Sequence, residues 1–233
     1  MIVKTKRLPV GVIPSRVVTA LDRRFLRRSA LGFLVGVSIG LVTAGCEDSG
    51  GGGGLDFGTN DPNVIVCVGD SITDDGYPSI LAGLTGKTAI NVGVRGSGSE
   101  LGVSETPGLL EGHRPGYLCI LYGINDIDRG KDSDWILGNL KSIVEMAKAN
   151  RSLPIIATLT PVTGENGVWA QGVQTLNGKI RAMAREEGVR LADLESAFGD
   201  NPALLQDDGL HPTAAGSQTI AETFAAAIDA SGH

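Results

Sequence analysis

The chain lacks most of the devices that fix a function at a glance. Three cysteines in 233 residues cannot build a disulfide framework. Ten Phe, Trp and Tyr weaken the case for an aromatic platform of the kind that binds polysaccharide, without excluding a glycan ester as substrate. No apolar run reaches the roughly twenty residues of a membrane-spanning helix, the run from Ala30 to Ala44 being fifteen. Gly93, Gly96 and Gly98 do not give the GxGxxG spacing of a dinucleotide site, and no GxxxxGK[ST] loop occurs. A G-x-S-x-G nucleophile elbow is missing too, which excludes the ordinary α/β-hydrolase. Basic charge is scarce outside the N-terminus. Residues 1 to 45 hold eight Lys and Arg against Asp22 alone, and the remainder carries 12 basic and 25 acidic residues, a net of -13. A body that acidic has no electrostatic footprint for a phosphate backbone or an anionic membrane surface, so nucleic acid is not an expected partner.

Glycine, at 34 residues, is plentiful, and basic residues are concentrated where an export signal needs them. Arg23, Arg24, Arg27 and Arg28 precede the apolar run, the anatomy of a signal peptide over residues 1–45. Its end, Leu41-Val42-Thr43-Ala44-Gly45-Cys46, resembles the lipobox of bacterial lipoproteins, with Thr43 where that family prefers Leu. The resemblance implies cleavage before Cys46 and a lipid on its sulfur; the alternative is ordinary cleavage after Ala44, leaving a free thiol. The arginine pairs raise a twin-arginine export route, though neither shows the full pattern. Residues 46–60, with five consecutive glycines from Gly50, read as a linker suited to holding a domain off a bilayer. The expected location is therefore exported, in the cell envelope, with attachment to the membrane through Cys46 or free release.

Residues 61–233 read as one domain, long enough to bury a single core. Nearly continuous apolar runs at 64–68, 89–94, 117–122, 154–159 and 189–194 fit strands buried on both faces. Between them, Ile136, Leu140, Ile143, Val144 and Ala147 share one helical face, with Ser133 as the expected N-cap. Val173, Leu176, Ile180, Met183 and Ala184 share another, as do Ile220, Phe224, Ala227 and Ile228. Strands alternating with helices predict an α/β fold, a parallel sheet with helices on both sides. Ligands of such sheets sit beyond the carboxyl ends of the strands.

The segments at those ends carry the chemistry. The first strand runs into Gly69-Asp70-Ser71-Ile72-Thr73, the second into Gly93-Val94-Arg95-Gly96, and the third into Gly123-Ile124-Asn125-Asp126. Gln206-Asp207-Asp208-Gly209-Leu210-His211-Pro212 precedes the last helix. Each alone is explained by a turn, a cap or a local hydrogen bond. Together they supply what a serine nucleophile needs: a base, a group to hold its tautomer, and donors where negative charge develops.

In this order and spacing the four segments resemble the SGNH or GDSL hydrolase family, and within it the compact bacterial thioesterase and lysophospholipase kind. The resemblance implies a flavodoxin-like three-layer α/β/α sandwich with five parallel strands. It implies that Ser71 attacks an ester carbonyl, His211 takes the proton, Asp208 orients the imidazole, and the N–H groups of Ser71 and Gly93 with the Asn125 amide form the oxyanion hole. It implies a small acyl ester as substrate and neither metal nor cofactor. A calcium loop over Asp126, Asp128, Asp132 and Asp134 is rejected, because Gly130 is misplaced and Leu137 stands where a bidentate Glu belongs; these acids read as a solvated turn and helix start. Cys67 and Cys119 read as buried reduced thiols on neighbouring strands. Pocket walls are expected from 96–115, 127–134 and 160–172, with Tyr122 and Trp169 lining them. Two other functions keep the fold: a non-catalytic envelope glycan-binding module, and an acyltransferase using the same three residues.

Overall fold

The structure, a computed structural model, describes residues 55–230. The expected signal segment 1–45, Cys46 and the glycine run lie outside the described residues. Five strands, β1 (Asp61–Gly69), β2 (Thr88–Asn91), β3 (Pro115–Leu121), β4 (Leu153–Ala157) and β5 (Arg190–Ala192), form one parallel sheet in the order β2-β1-β3-β4-β5. This is the flavodoxin-like order, with its switch point between β1 and β3. The apolar runs are continuous because helices cover both faces: all seven residues of β3 are buried, as are Ile65 to Gly69 of β1.

Among the described residues eight α-helices flank the sheet: α1 (Ser71–Asp74), α2 (Tyr77–Thr85), α3 (Ser99–His113), α4 (Ile124–Asp128), α5 (Ser133–Ala149), α6 (Ala170–Glu187), α7 (Leu194–Phe198) and α8 (Ala214–Asp229). α2 packs on α8, where Tyr77 and Phe224 stack at 5.2 Å between ring centroids. α5 packs between α3 and α6. Cys67 and Cys119 are register partners across β1 and β3, buried and free.

Two local expectations change. The stretch 96–115, expected as pocket wall with no helical face singled out, is mostly α3, despite Pro107 and three glycines. Tertiary contacts override its weak propensity. Gly102 lets α3 settle against Tyr122, where a Cβ would stand 2.7 Å from a ring carbon, and the Asp126 carboxylate accepts the Ser99 N–H at 2.8 Å. α5 is capped by Asp132, whose side chain accepts the Asp134 N–H, while Ser133 is its first helical residue.

The chain joins the sheet at its amino edge, opposite the site. Phe57 lies 5.2 Å from Tyr117 between ring centroids, and Asn60 Nδ2 donates to Asn150 O at 2.6 Å. The last residues of the stretch read as linker are thus packed on the domain.

Candidate active site

The carboxyl edge of β1 turns sharply into α1. Gly69 is required there, since a Cβ would crowd Thr73 and stand 2.7 Å from Leu121 O. Asp70 caps α1 by accepting the Ile72 N–H at 3.0 Å, which leaves Ser71 as the first helical residue at the sheet's rim. The C-terminal segment is fastened by Gln206 N–H donating to His211 O at 2.8 Å and by a bridge between Leu205 and Pro212. Gly209, at φ +67, makes the turn that brings Asp208 under His211.

Residues 140 positions apart meet here: Ser71 Oγ lies 3.0 Å from His211 Nε2. On the other side of the ring, His211 Nδ1 lies 2.6 Å from Asp208 Oδ2. The carboxylate is an acceptor only, so Nδ1 carries the proton and Nε2 is left to accept from the serine hydroxyl. Partial burial pushes the Asp208 carboxyl up, but the His211 side chain and the Leu210 and His211 N–H groups outweigh it and hold it below the usual range. An ionised Asp208 at neutral pH keeps that tautomer. Two bonds from the loop after β4 hold the acid's turn: Asn166 Nδ2 donates to Asp208 O at 2.7 Å, and Thr163 N–H to Gly209 O at 2.9 Å. Neither residue carries a sequence signal; both depend on a contact more than forty residues along the chain.

Asn125 follows β3 on the same rim. One N–H of its amide donates to Ser97 O at 3.0 Å, which leaves the other N–H for a ligand. Gly93 differs from expectation. Its N–H is taken by Asn91 Oδ1 at 2.9 Å. Its missing Cβ serves packing instead, because α1 passes so closely that a side chain would strike Asp74 N and stand 2.9 Å from Asp70 O. The N–H groups of Gly96, at φ +73, and of Gly98 have no acceptor among the described residues, and of the two only Gly96 is exposed. It adjoins Ser97, the residue gripped by Asn125. The spacing of two glycines three residues apart could not choose between them; Asn91, whose side chain occupies Gly93, is the deciding signal.

Gly93→Ala is accordingly expected to act through sterics. The new methyl group meets backbone, so α1 must shift and stability falls by about 1–3 kcal/mol. Urea unfolding checks this, and a variant as stable as the parent would contradict the close approach.

Beneath the serine lies a second carboxyl. Asp70 is 1% exposed, and burial raises its pKa to about 7 against the pull of the Ile72 N–H and His211. Asp126, also buried rather than solvated as expected, adds repulsion. Because the folded pKa exceeds the unfolded one, the folded state binds the extra proton between about pH 4 and pH 7. Stability is therefore highest at the acid end of that window and falls as pH rises through it. Asp70→Asn is expected to remove roughly 2–4 kcal/mol of this pH-dependent loss. Unfolding free energies at pH 5 and pH 8 test it; an unchanged pH slope would contradict it.

Tyr122, expected to line a pocket, is buried under α3. Trp169 is half-buried at the end of a 3-10 turn (Gly164–Trp169) and packs on the core. A cavity of about 560 Å³ between α3 and the end of α4 is lined by Gly98, Glu100, Leu101, Ser104, Asp126, Arg129 and Lys131, with none of Ser71, Asn125, Asp208 and His211 in its walls.

The model of the GDSL-like lipase/acylhydrolase family matches residues 67–219, a span holding all of these residues. The chain belongs to that family. The GDSL family is one of ester hydrolases, and its first block reads Gly69-Asp70-Ser71-Ile72 here. Among curated proteins the chain is similar to an acetylxylan esterase of Xylanibacter ruminicola, 25% identical over 208 residues, 70% of this chain and 42% of that protein. It is equally similar to thioesterase 1/protease 1/lysophospholipase L1 of Escherichia coli K12, 25% identical over 140 residues, 59% of this chain and 65% of that one. The chain thus spans less than two thirds of the length of either relative. Among solved structures, a GDSL-like lipase of Bacteroides thetaiotaomicron superposes with a TM-score of 0.65 at 24% identity, covering 72% of this chain and 88% of that one. This likeness shows the GDSL fold.

Proposed function

We propose that this GDSL domain is an exported serine ester hydrolase that cleaves a small acyl ester through an acyl-enzyme on Ser71. The observation that carries the reading is the continuous row from Ser71 Oγ through His211 to Asp208, at 3.0 and 2.6 Å. A binding module has no use for a hydroxyl aligned on a base.

In the first step Ser71 Oγ bonds to the ester carbonyl carbon while its proton passes to His211 Nε2. The imidazolium that forms is stabilised by Asp208. The carbonyl oxygen becomes an oxyanion and is held by three donors, the N–H groups of Ser71 and Gly96 and the free N–H of Asn125 Nδ2. Collapse breaks the bond to the alcohol, which leaves with the proton from Nε2. Water then adds to the acyl-enzyme by the same route, its proton going to Nε2, and the acid departs as Ser71 recovers its hydrogen.

The relatives bracket the substrate: one is named for acetyl groups on xylan, the other for thioesters and lysophospholipids. We place this site with short acyl groups, on the likeness to the acetylxylan esterase. Export and lipidation of Cys46 are part of the same proposal, supported by the arginine-flanked apolar run and the lipobox-like end of the signal segment. The test is kcat/KM on p-nitrophenyl esters of increasing chain length. Acetate or butyrate is expected to lead; a maximum at eight carbons or more would contradict the short-acyl reading.

A further inference from the structure

We propose that Arg129 is a positioning residue of the oxyanion hole, pinning the Gly96 carbonyl so that the Gly96 N–H keeps its direction. The proposal rests on the hydrolase reading above. Gly96 is the weak point of such a hole. It sits at φ +73 in an exposed turn with no side chain to pack, and glycine crosses its conformational map at little cost. The Ser97 N–H donates to Val94 O at 3.0 Å and holds one edge of the Gly96–Ser97 peptide; the other edge, the Gly96 carbonyl, also needs a partner if the turn, and with it the Gly96 N–H, is to be preorganised. Three side chains on or next to α4 grip the four residues that begin with it. Arg129 Nη2 donates to Gly96 O. Asn125 Nδ2 donates to Ser97 O at 3.0 Å, and Asp126 Oδ2 accepts from Ser99 N–H at 2.8 Å. Between these bonds, Gly98 lies so close that a Cβ would stand 3.0 Å from both Asp126 Cγ and Arg129 Nη1. Arg129 is in turn tied to Asn125, since its own N–H donates to Asn125 O at 3.2 Å.

The consequence is that two of the hole's three donors are set from α4 and its C-cap. The Asn125 amide arrives directly and the Gly96 N–H through Arg129. The guanidinium is the outermost of the three contacts and the only exposed one, so its removal loosens the turn without opening the core.

Steady-state kinetics on p-nitrophenyl acetate, with the rate of Ser71 phosphonylation by a neutral fluorophosphonate, tests this in the full chain and in R129Q, R129K, N125A and R129Q/N125A. In that labelling the Ser71 Oγ–P bond forms, the P–F bond breaks, fluoride leaves and His211 takes the proton. R129Q is expected to lose about tenfold in both kcat and labelling rate, a fraction of what a deleted donor costs. Its KM should stay within about twofold and its unfolding midpoint should not move. R129K should recover part of the loss, because an ammonium can donate to the same carbonyl. The double variant should fall short of the product of the single effects, as groups acting as one unit do. Wild-type rates in R129Q, a loss confined to KM, or strict multiplicativity in the double variant would overturn the proposal. A wild-type chain that neither turns over nor labels would instead refute the hydrolase reading, and this proposal with it.

Discussion

Replacing Ser71 by alanine is expected to lower kcat on p-nitrophenyl acetate by about 10⁶-fold, as loss of the nucleophile does where serine and histidine act as one unit. Only one oxygen is removed. Ser71 is a first-turn residue whose carbonyl still accepts the Asp75 N–H, and Asp70 still caps α1 through Ile72. The fold should therefore survive, with an unfolding free energy within about 1 kcal/mol of wild type. His211→Ala should cost a similar factor, and the double variant little more than either alone. A S71A protein that is folded and retains more than about a thousandth of wild-type turnover would mean that another group attacks the ester.

Asn125→Ala is expected to lower kcat by about 10²–10³-fold, with KM nearly unchanged, since an oxyanion donor bonds to charge that exists only in the transition state. The side chain has two tasks: one N–H grips Ser97 O at 3.0 Å and the other faces the site. Losing both at once puts the expected value toward the upper end of that range. Asn125→Asp is a sharper version. It keeps the shape but replaces a donor by an anion, so the loss should exceed that of alanine. Turnover and KM of the two variants at neutral pH check this, and wild-type kcat in either would contradict the assignment.

The layer plan was readable in the sequence for a physical reason. Strands such as Tyr117–Leu121 are buried on both faces, and α5 and α6 show apolar positions at helical spacing because one face of each meets the core. α3 was not readable. Its glycines and Pro107 spoil the periodic signal, and its helical form depends on contacts with Tyr122 and Asp126 that lie outside its own window. The same division runs through the site. Ser71, Asp208, His211 and Asn125 could be named because each sits in a short run with its own turn chemistry. The roles of Gly93 and Gly96 could not be told apart, since which N–H is free depends on where the Asn91 side chain turns. Asn166 and Arg129 left no trace, as each acts through one hydrogen bond to a distant carbonyl. Asp126 read as a solvated acid because its neighbours Asp128, Asp132 and Asp134 are solvated; only tertiary packing buries it.

The central claim is that the serine at position 71, and no other, is activated by His211. Incubation of the folded chain with a fluorophosphonate, followed by intact-mass and peptide analysis, measures this directly. One phosphonyl group per chain is expected, on Ser71, with none in S71A and only slow labelling in H211A. A folded wild-type chain that remains unmodified, or carries the label on a different residue, would contradict it.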